Sequence, residues 1–157
     1  MDGLAVRGVA STLTAGATTA VTTEETLGTL TVPAGRLRAA GQKLKLVAWG
    51  AFSANANTKR VKLKLGAQIV ADSGAIAANT GFWRAEVDVV QSGDDAQKYH
   101  GSIRFKTTAG TPVDAEYMTQ GSLTLDADAA LTALVTGQNG TAAASDITLV
   151  GFQIEGL

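Results

Sequence analysis

The chain has 157 residues, and 45% of them are hydrophobic although only 5% are aromatic. That length fits one domain, and the absence of cysteine excludes disulfides, thiolate metal sites and thiol nucleophiles. Neither a secretory leader pattern nor the roughly 18 apolar residues of a membrane span occurs, so we expect a soluble protein without membrane partners. Many Thr, Val and Ala residues, 18 glycines and only 2 prolines favour strands joined by tight turns over helices.

The net charge of -1 hides a separation of the two signs along the chain. Residues 1–66 contain nine Lys or Arg and three acids, whereas six acids and no basic residue follow Lys106. Such an asymmetry is typical either of a fold that pairs early strands with late ones or of complementary surfaces on neighbouring copies. For the second case, we assign the complementary charges to Lys62 and Lys64 on one side and Asp126 and Asp128 on the other.

The first 25 residues have scattered apolar side chains and no helical period, which is typical of an extended arm or an edge strand. We therefore divide the chain into an N-terminal arm, residues 1–25, and a β-sandwich, residues 26–157. Alone, the arm could not bury enough surface to offset its ordering entropy, so we expect it to bind a partner. Its candidate partner-binding residues are Leu4, Val6, Val9 and Leu13.

The middle of the chain alternates apolar and polar residues with the period of strands. Residues 43–52 put Val47 and Trp49 on a face that begins charged and ends apolar, so we expect something to pack over Trp49. A turn rich in asparagine leads to a strand with Val61, Leu63 and Leu65 inward, and we interpret the two strands as a hairpin. The strands we expect up to residue 106 cover 27–32, 43–52, 60–65, 68–72, 83–89 and 98–106.

In the last third, we expect strands at 113–117, 122–125, 131–136 and 147–155. In the last one, Ile147 and Leu149 point one way, while Val150, Phe152 and Ile154 point the other. Apolar residues on both faces predict a central strand or a subunit interface. The interface residues that we predict are Val47, Trp49, Ile147, Leu149, Phe152 and Ile154. Eight to ten short strands favour an all-β, antiparallel β-sandwich, most plausibly a jelly roll.

No catalytic, cofactor or metal site is predicted. His100, the one histidine, lies among outward polar residues, and no G-x-S-x-G motif or P-loop accompanies it. The acidic turns at Asp94–Asp95 and Asp126–Asp128 lack EF-hand spacing. The basic stretch from Arg36 to Lys64 separates its lysines from Trp49, which argues against nucleic-acid binding. We therefore expect a protein that is not an enzyme.

Residues 26–93 resemble a module of tailed-bacteriophage structural proteins. The resemblance lies in T-L-x-x-L-x-x-P-A-x-x-L from Thr26, A-W-G-x-F-x-A-N-x-N-x-K over Ala48 to Lys59, D-S-G from Asp72 and W-R-x-E from Trp83. It covers under half the chain, and its Ala48–Lys59 part is the most specific. It implies a virion component with a jelly-roll-like sandwich, commonly trimeric, and no active site.

The resemblance implies a capsid decoration protein: a homotrimer on the capsid exterior that is made in the host cytoplasm and binds the major capsid protein. The alternative is a tail or fibre domain that binds a host receptor or glycan. Without a collagen-like, coiled-coil or β-helical repeat, the sequence fits the decoration protein better than a fibre.

Overall fold

The described residues of the computed structural model, 9–12, 16–109 and 114–156, form eleven β-strands and no helix. None of these residues, therefore, belongs to a helix that could cross a membrane. The strands are β1 (Val9–Thr12), β2 (Glu25–Val32), β3 (Lys43–Phe52), β4 (Thr58–Leu65), β5 (Gln68–Asp72), β6 (Ile76–Ala77), β7 (Gly81–Gly93), β8 (Ala96–Thr107), β9 (Asp114–Leu123), β10 (Leu131–Asn139) and β11 (Ile147–Glu155).

The strands form two antiparallel sheets, one in the order β1-β11-β3-β7-β8-β9 and the other in the order β2-β10-β4-β5, with the short β6 beside β4. The pairings are nested, because β1 pairs with β11, β2 with β10, β3 with β7 and β4 with β5. A long hairpin rolled up in this way is a jelly roll. The all-β sandwich that we predicted is confirmed, and β8 and β9 extend its first sheet beyond β7.

The core lies between the sheets and is built from residues of one parity on each strand. Leu46 of β3, Val87 of β7 and Ile103 of β8 meet Leu63 of β4 and Val135 of β10, and all five are fully buried. On each strand, residues of one parity therefore face the other sheet. In the six-stranded sheet, the residues of the opposite parity form an outer face.

A β-bulge in β11 corrects the interface predicted for the last strand. The register against β3 shifts between Leu149 and Gly151, which reverses the parity of the residues that follow. Ile147, Leu149, Phe152 and Ile154 therefore all point into the same core, and each is 0% exposed. Since one subunit already buries these four side chains, they offer no surface to a second copy.

The predicted hairpin of β3 and β4 is wrong. β3 pairs with β7 and β11, whereas β4 pairs with β10, β5 and β6 in the other sheet. The loop over residues 53–57 crosses from one sheet to the other. The strand beside β7 is therefore β3 and not β4, and Lys45 Nζ of β3 lies 3.5 Å from Glu86 Oε2 of β7.

The described part of the predicted arm belongs to the sandwich. β1 pairs with β11, and Val9 lies opposite Glu155. Thr18 is 2% exposed; its amide donates to the carbonyl of Ile147 at 3.0 Å, and its Oγ1 accepts from the amide of Ile147 at 3.2 Å. The described residues 9–12 therefore form an edge strand, and Thr18 is hydrogen-bonded to β11, so this part of the chain belongs to the sandwich and not to a free arm. Leu4, Val6 and Leu13 lie outside the described residues.

The predicted strands otherwise differ from the observed ones in two places. In place of the two strands expected at 113–117 and 122–125, the structure has one ten-residue strand, β9 (Asp114–Leu123). The loop expected at 73–81 contains the two-residue strand β6. Gly121 lies within β9 beside the ring of Tyr99, where an added Cβ would lie 3.0 Å from Cε1.

Candidate functional site: a groove on the outer face of the six-stranded sheet

Two neighbouring rows of side chains form the candidate site on the outer face of the six-stranded sheet. The register places Trp49, Arg84 and Arg104 side by side on β3, β7 and β8. It places Ala51, Phe82 and Lys106 in the next row. Because directly opposed residues of antiparallel strands point to the same face, the two aromatic rings and the three cations share one surface.

These rows enclose a groove of about 640 Å³, which we call the outer-sheet groove. Large apolar side chains are exposed in it: Phe82 is 66% exposed and Val150 47%. Trp49 is half-buried. The lining residues are Trp49, Gly50, Ala51, Phe82, Trp83, Arg84, Arg104, Phe105, Lys106, Asp114 and Val150.

A glycine and the bulge in β11 set the shape of one wall. An added Cβ at Gly151 would lie 2.2 Å from Trp49 Cζ2 and 2.6 Å from Cε2, so the indole lies directly against the backbone of β11. The bulge at this position also leaves Val150 on the outside. The irregularity that buries Phe152 thus exposes Val150 beside Trp49.

Charged groups surround the apolar part of the groove. Arg84 donates to Glu86 at 2.5 Å, and this hydrogen bond holds the pKa of Glu86 below its usual range. Arg104 lies 3.3 Å from Asp114, with both side chains about half exposed or more. Exposed guanidinium groups at this distance from their carboxylates are free to exchange partners at little cost. The groove can therefore make apolar contacts and charged hydrogen bonds to the same partner, which suits it to binding.

The histidine and the acidic turns, which are the other candidates for chemistry, do not come together in a site. His100 is exposed and lies opposite Asp88 and Gln120 on the neighbouring strands. Asp95 Oδ1 accepts from the amide of Ala127 at 2.8 Å, and Asp126 Oδ1 accepts from the amide of Asp128 at 2.9 Å. Across the described ranges, no group of three acids or histidines could hold a metal ion.

The charge complementarity predicted for Lys62 and Lys64 is corrected by the structure. Both ammonium groups bind the carboxylate of Glu24 in the same chain, while Asp128 pairs with Arg38 at 2.7 Å. Partial burial alone would raise the pKa of Glu24, but the hydrogen bonds from the two lysines outweigh it and lower the pKa from 4.5 to about 2. The segment before β2 lies close enough to β4 to supply this carboxylate.

A buried polar network, which the sequence analysis missed, joins three loops at one end of the sandwich. Lys59 is 1% exposed, and its Nζ donates to the carbonyl of Ala78 at 2.7 Å and to Asn55 Oδ1 at 2.9 Å. It also lies 3.1 Å from the carbonyls of Asn55 and Asn57. The ammonium is thus surrounded by four oxygens, and its burial lowers the pKa of Lys59.

Asp146, also 1% exposed, completes this Lys59–Asp146 network. Its carboxylate accepts hydrogen bonds from Ser53 Oγ at 2.7 Å, from Asn57 Nδ2 at 3.0 Å and from Asn55 Nδ2. Burial alone would raise the pKa of Asp146, but these donors hold it below its usual range. Asn55 therefore links the two charges, donating to one and accepting from the other. One signal was present in the sequence: Lys59 has the parity of inward Val61.

The network explains most of the segment that carries the strongest resemblance. Of the A-W-G-x-F-x-A-N-x-N-x-K run, Asn55, Asn57 and Lys59 fix the loop between the sheets. Gly50 leaves room for the ring of Trp83, whose Cζ2 would lie 2.6 Å from an added Cβ. Trp49 is the member of the run that contributes a side chain to the outer-sheet groove.

Comparisons with known proteins add little to this geometry. No protein-family model matches the chain, and no curated protein matches its sequence. Among solved structures, the chain is similar to the CBM2 module of the evolved Dit of Lactobacillus casei BL23 phage J-1, at 13% sequence identity and a TM-score of 0.35. That match covers 81% of this chain and 67% of the other. A likeness this distant is no basis for assigning a function.

Of the six predicted interface residues, only Trp49 retains an accessible position. Val47 also lies on the outer face, in the row beside Trp49, but it is 1% exposed. Phe82 and Val150, the most exposed apolar side chains of the groove, are not among the predicted site residues. The parity of Phe82, opposite to that of inward Trp83, was the available signal.

Proposed function

We propose that this chain is a non-enzymatic structural protein of a tailed-phage virion that attaches to a partner protein through the outer-sheet groove. The observation that carries the proposal is the group of exposed Phe82 and Val150 with half-buried Trp49, beside Arg84 and Arg104. Aromatic residues and arginine are enriched at the centres of protein interfaces, and clustered exposed apolar residues are uncommon on surfaces without a partner.

Rigid anchors of this kind supply most of the binding energy of an interface. Phe82 and Trp49 stand on neighbouring strands of a six-stranded sheet, so little backbone entropy is lost when they are covered. Lys106 adds a cation beside them, which favours a partner surface that combines an apolar patch with acidic side chains. The resemblance of residues 26–93 supports the major capsid protein as this partner and capsid decoration as the role.

The test is binding to capsids of the parent phage that were assembled without this protein. We expect Phe82→Ala to weaken binding by about tenfold or more, which corresponds to ~1.4 kcal/mol. Lys106→Glu should weaken it as well, and more at low salt than at high salt. Ile69→Ala is the matched control, because Ile69 is an exposed apolar residue, 42% accessible, on a strand of the other sheet. Unchanged binding by Phe82→Ala and Lys106→Glu would refute the proposed surface.

A second candidate function, host-glycan binding by a tail or fibre module, is favoured by one feature of the same groove. The rings of Trp49 and Phe82 lie beside a carboxylate, Asp114, and two guanidinium groups. Aromatic faces stack on the apolar faces of sugars, and the charged groups can bind hydroxyls. Saturable binding on a glycan array that Phe82→Ala abolishes, together with no binding to capsids, would favour this role.

The homotrimer remains a prediction of the resemblance alone. One structural argument for it was the apolar residues on both faces of the last strand, and the bulge in β11 places these in one core. The other was the face that carries Val47 and Trp49, of which Val47 is buried within the subunit. A trimer would therefore have to use other surfaces of the sandwich.

A further inference from the structure

The two sheets have four edges, and three of the edge strands carry features that discourage pairing with another chain. β1 has four residues, and β5 has five residues and an extra residue, Val70, in its register against β4. β2 has a comparable extra residue, Leu27, against β10. Short strands and bulges are common ways to block edge-to-edge association.

The fourth edge strand, β9, lacks these features. It has ten residues, and its ten pairs with β8 follow one another without a register shift. It contains no lysine, arginine or proline, and its charged residues, Asp114 and Glu116, both lie near its start. No described strand pairs with its other side, and Met118 and Tyr117 are 70% and 43% exposed. A long, regular and largely uncharged edge is a ready template for another strand.

We propose that β9 pairs antiparallel with β9 of a second copy, about a two-fold axis at Met118. This pairing places Met118 opposite Met118, Glu116 opposite Gln120 and Asp114 opposite Ser122. An antiparallel contact between identical strands is self-complementary, so both copies gain the same contacts and no new edge remains in the sheet. The inference goes beyond the proposed function, because it uses the backbone edge of β9, whereas the apolar anchors of the outer-sheet groove lie on β3, β7 and β11. Asp114, at the start of β9, is the lining residue that the groove shares with this edge.

Charge favours a second copy as the occupant and excludes an axis near the acidic start of β9, and the axis at Met118 also pairs residues 114–122 of both copies. The acids occupy one half of β9 and uncharged polar residues the other half, so antiparallel pairing at Met118 brings acids opposite uncharged groups. An axis at Ala115 would instead place Asp114 opposite Glu116 of the other copy. Lys98 Nζ already lies 2.7 Å from Ser122 Oγ. The Asp114 carboxylate of the second copy would therefore arrive beside an ammonium group.

Sedimentation of the purified protein, from dilute to concentrated solution, is the first test. We expect a monomer–dimer equilibrium, in place of the homotrimer that the resemblance implies. In concentrated protein, hydrogen exchange should slow at amides of β9 relative to dilute protein, because they gain partners across the interface. A protein that is monomeric at every concentration, or purely trimeric, would overturn the proposal.

Two opposite charge changes at one position test the register. Gln120→Glu puts a carboxylate opposite Glu116 and should raise the dimer dissociation constant about threefold to tenfold, whereas Gln120→Lys should lower it by a similar factor, since each change occurs twice. Tighter association by Gln120→Lys could not result from misfolding. Thr132→Glu and Thr132→Lys, on the exposed face of the other sheet, are the matched controls and should change nothing.

A third variant and the groove variant separate this proposal from the proposed function. Met118→Lys places two ammonium groups opposite each other and should abolish the dimer while the thermal unfolding of the monomer is retained. Phe82→Ala should leave the dimer intact, whatever its effect on capsid binding. If Gln120→Glu and Gln120→Lys have the same effect, or if Met118→Lys still dimerises, the contact lies elsewhere and the proposal fails.

Discussion

The Lys59–Asp146 network buries charged side chains and the outer-sheet groove exposes apolar ones, which is the reverse of their usual distribution in a folded protein. The network buries an ammonium and a carboxylate, each 1% exposed, whereas the groove exposes Phe82 at 66% and Val150 at 47%. Both draw on the segment from Ala48 to Lys59, since Lys59 and Asn55 belong to the network and Trp49 to the groove. One stretch of chain thus supplies both the connection between the sheets and part of a binding surface.

The two regions differ in whether their side chains find contacts within the same chain. Each charge of the network has hydrogen-bond partners inside the same chain, which is the condition for burying a charge at acceptable cost. The exposed apolar groups of the groove have no such cover. Residues whose charged groups are hydrogen-bonded within the chain maintain the fold, and apolar residues that no part of the chain covers are the candidates for binding. Substitutions that remove partners from one region or the other test this distinction.

The largest expected effect is in the network. Asp146→Ala removes the acceptor of three side-chain donors and leaves the buried Lys59 ammonium without its compensating charge. Breaking a buried charged pair on one side typically costs about 3–5 kcal/mol. We expect a loss of that size in the free energy of unfolding, measured by urea denaturation followed by circular dichroism.

Asp128→Ala is the control for this prediction. Asp128 also pairs with a cation, Arg38, at 2.7 Å, but the two side chains are 67% and 69% exposed. An exposed pair contributes about 0–1 kcal/mol, so this variant should unfold nearly as the wild type does. Equal losses for Asp146→Ala and Asp128→Ala would show that burial does not set the importance of the network.

The sequence predicted the strands better than it predicted their partners. Alternation identified the inward faces of β3, β4, β7 and β8, because the period of two is a local property. The hairpin of β3 and β4 was wrong because the loop that turns the chain into the other sheet is held by hydrogen bonds from Asn55 and Asn57 to Asp146, 89 or more residues away. Pairing over such separations has no local signal.

Bulges account for the main error at the site. The apolar residues of β11 fall on both parities, and the sequence alone cannot distinguish a strand buried on two faces from a strand with one inserted residue. The insertion at Val150 and Gly151 resolves this in favour of one buried face. Trp49, which was predicted at a subunit interface, lines the groove, while Phe82 and Val150 were not among the predicted site residues.

A moderate effect on stability is expected at Glu24, which pairs with Lys62 and Lys64 of β4. The pKa of Glu24 is about 2 in the folded protein and 4.5 ordinarily, so its ionised form is favoured by folding. Its contribution should therefore be complete above pH 4.5 and should disappear as the pH falls from 4.5 toward 2. With its side chain 26% exposed, we expect about 2 kcal/mol.

Glu24→Gln provides the comparison for this pH dependence. The variant should be less stable than the wild type at pH 7, and the difference should shrink as the pH is lowered, because protonated Glu24 and glutamine then resemble each other. Denaturation curves of both proteins at several pH values give the difference directly. A gap that stays constant between neutral and acidic pH would contradict the pairing of Glu24 with Lys62 and Lys64.

A smaller effect is expected at the wall of the groove. Gly151→Ala adds a methyl group where Trp49 Cζ2 lies 2.2 Å away, so the indole must move outward. Because Trp49 is half-exposed and can move toward solvent, we expect a cost of about 1 kcal/mol, at the low end for overpacking. The fluorescence of Trp49 should change, measured in a Trp83→Phe background so that a single tryptophan reports. An unchanged emission spectrum would show that Trp49 does not lie against Gly151.

The smallest expected effect on stability is that of Phe82→Ala. Phe82 and Trp83 are neighbours in sequence on opposite faces of β7, with exposures of 66% and 2%. Truncating Phe82 exposes little that was covered, so we expect a change within about 0.5 kcal/mol. Trp83→Ala, by contrast, leaves a core cavity and should cost about 3–5 kcal/mol. If the groove exists for binding, Phe82→Ala should lose binding without losing stability. A loss of stability comparable with that of Trp83→Ala would mean that Phe82 is covered within the subunit, and the groove would then lose its main anchor.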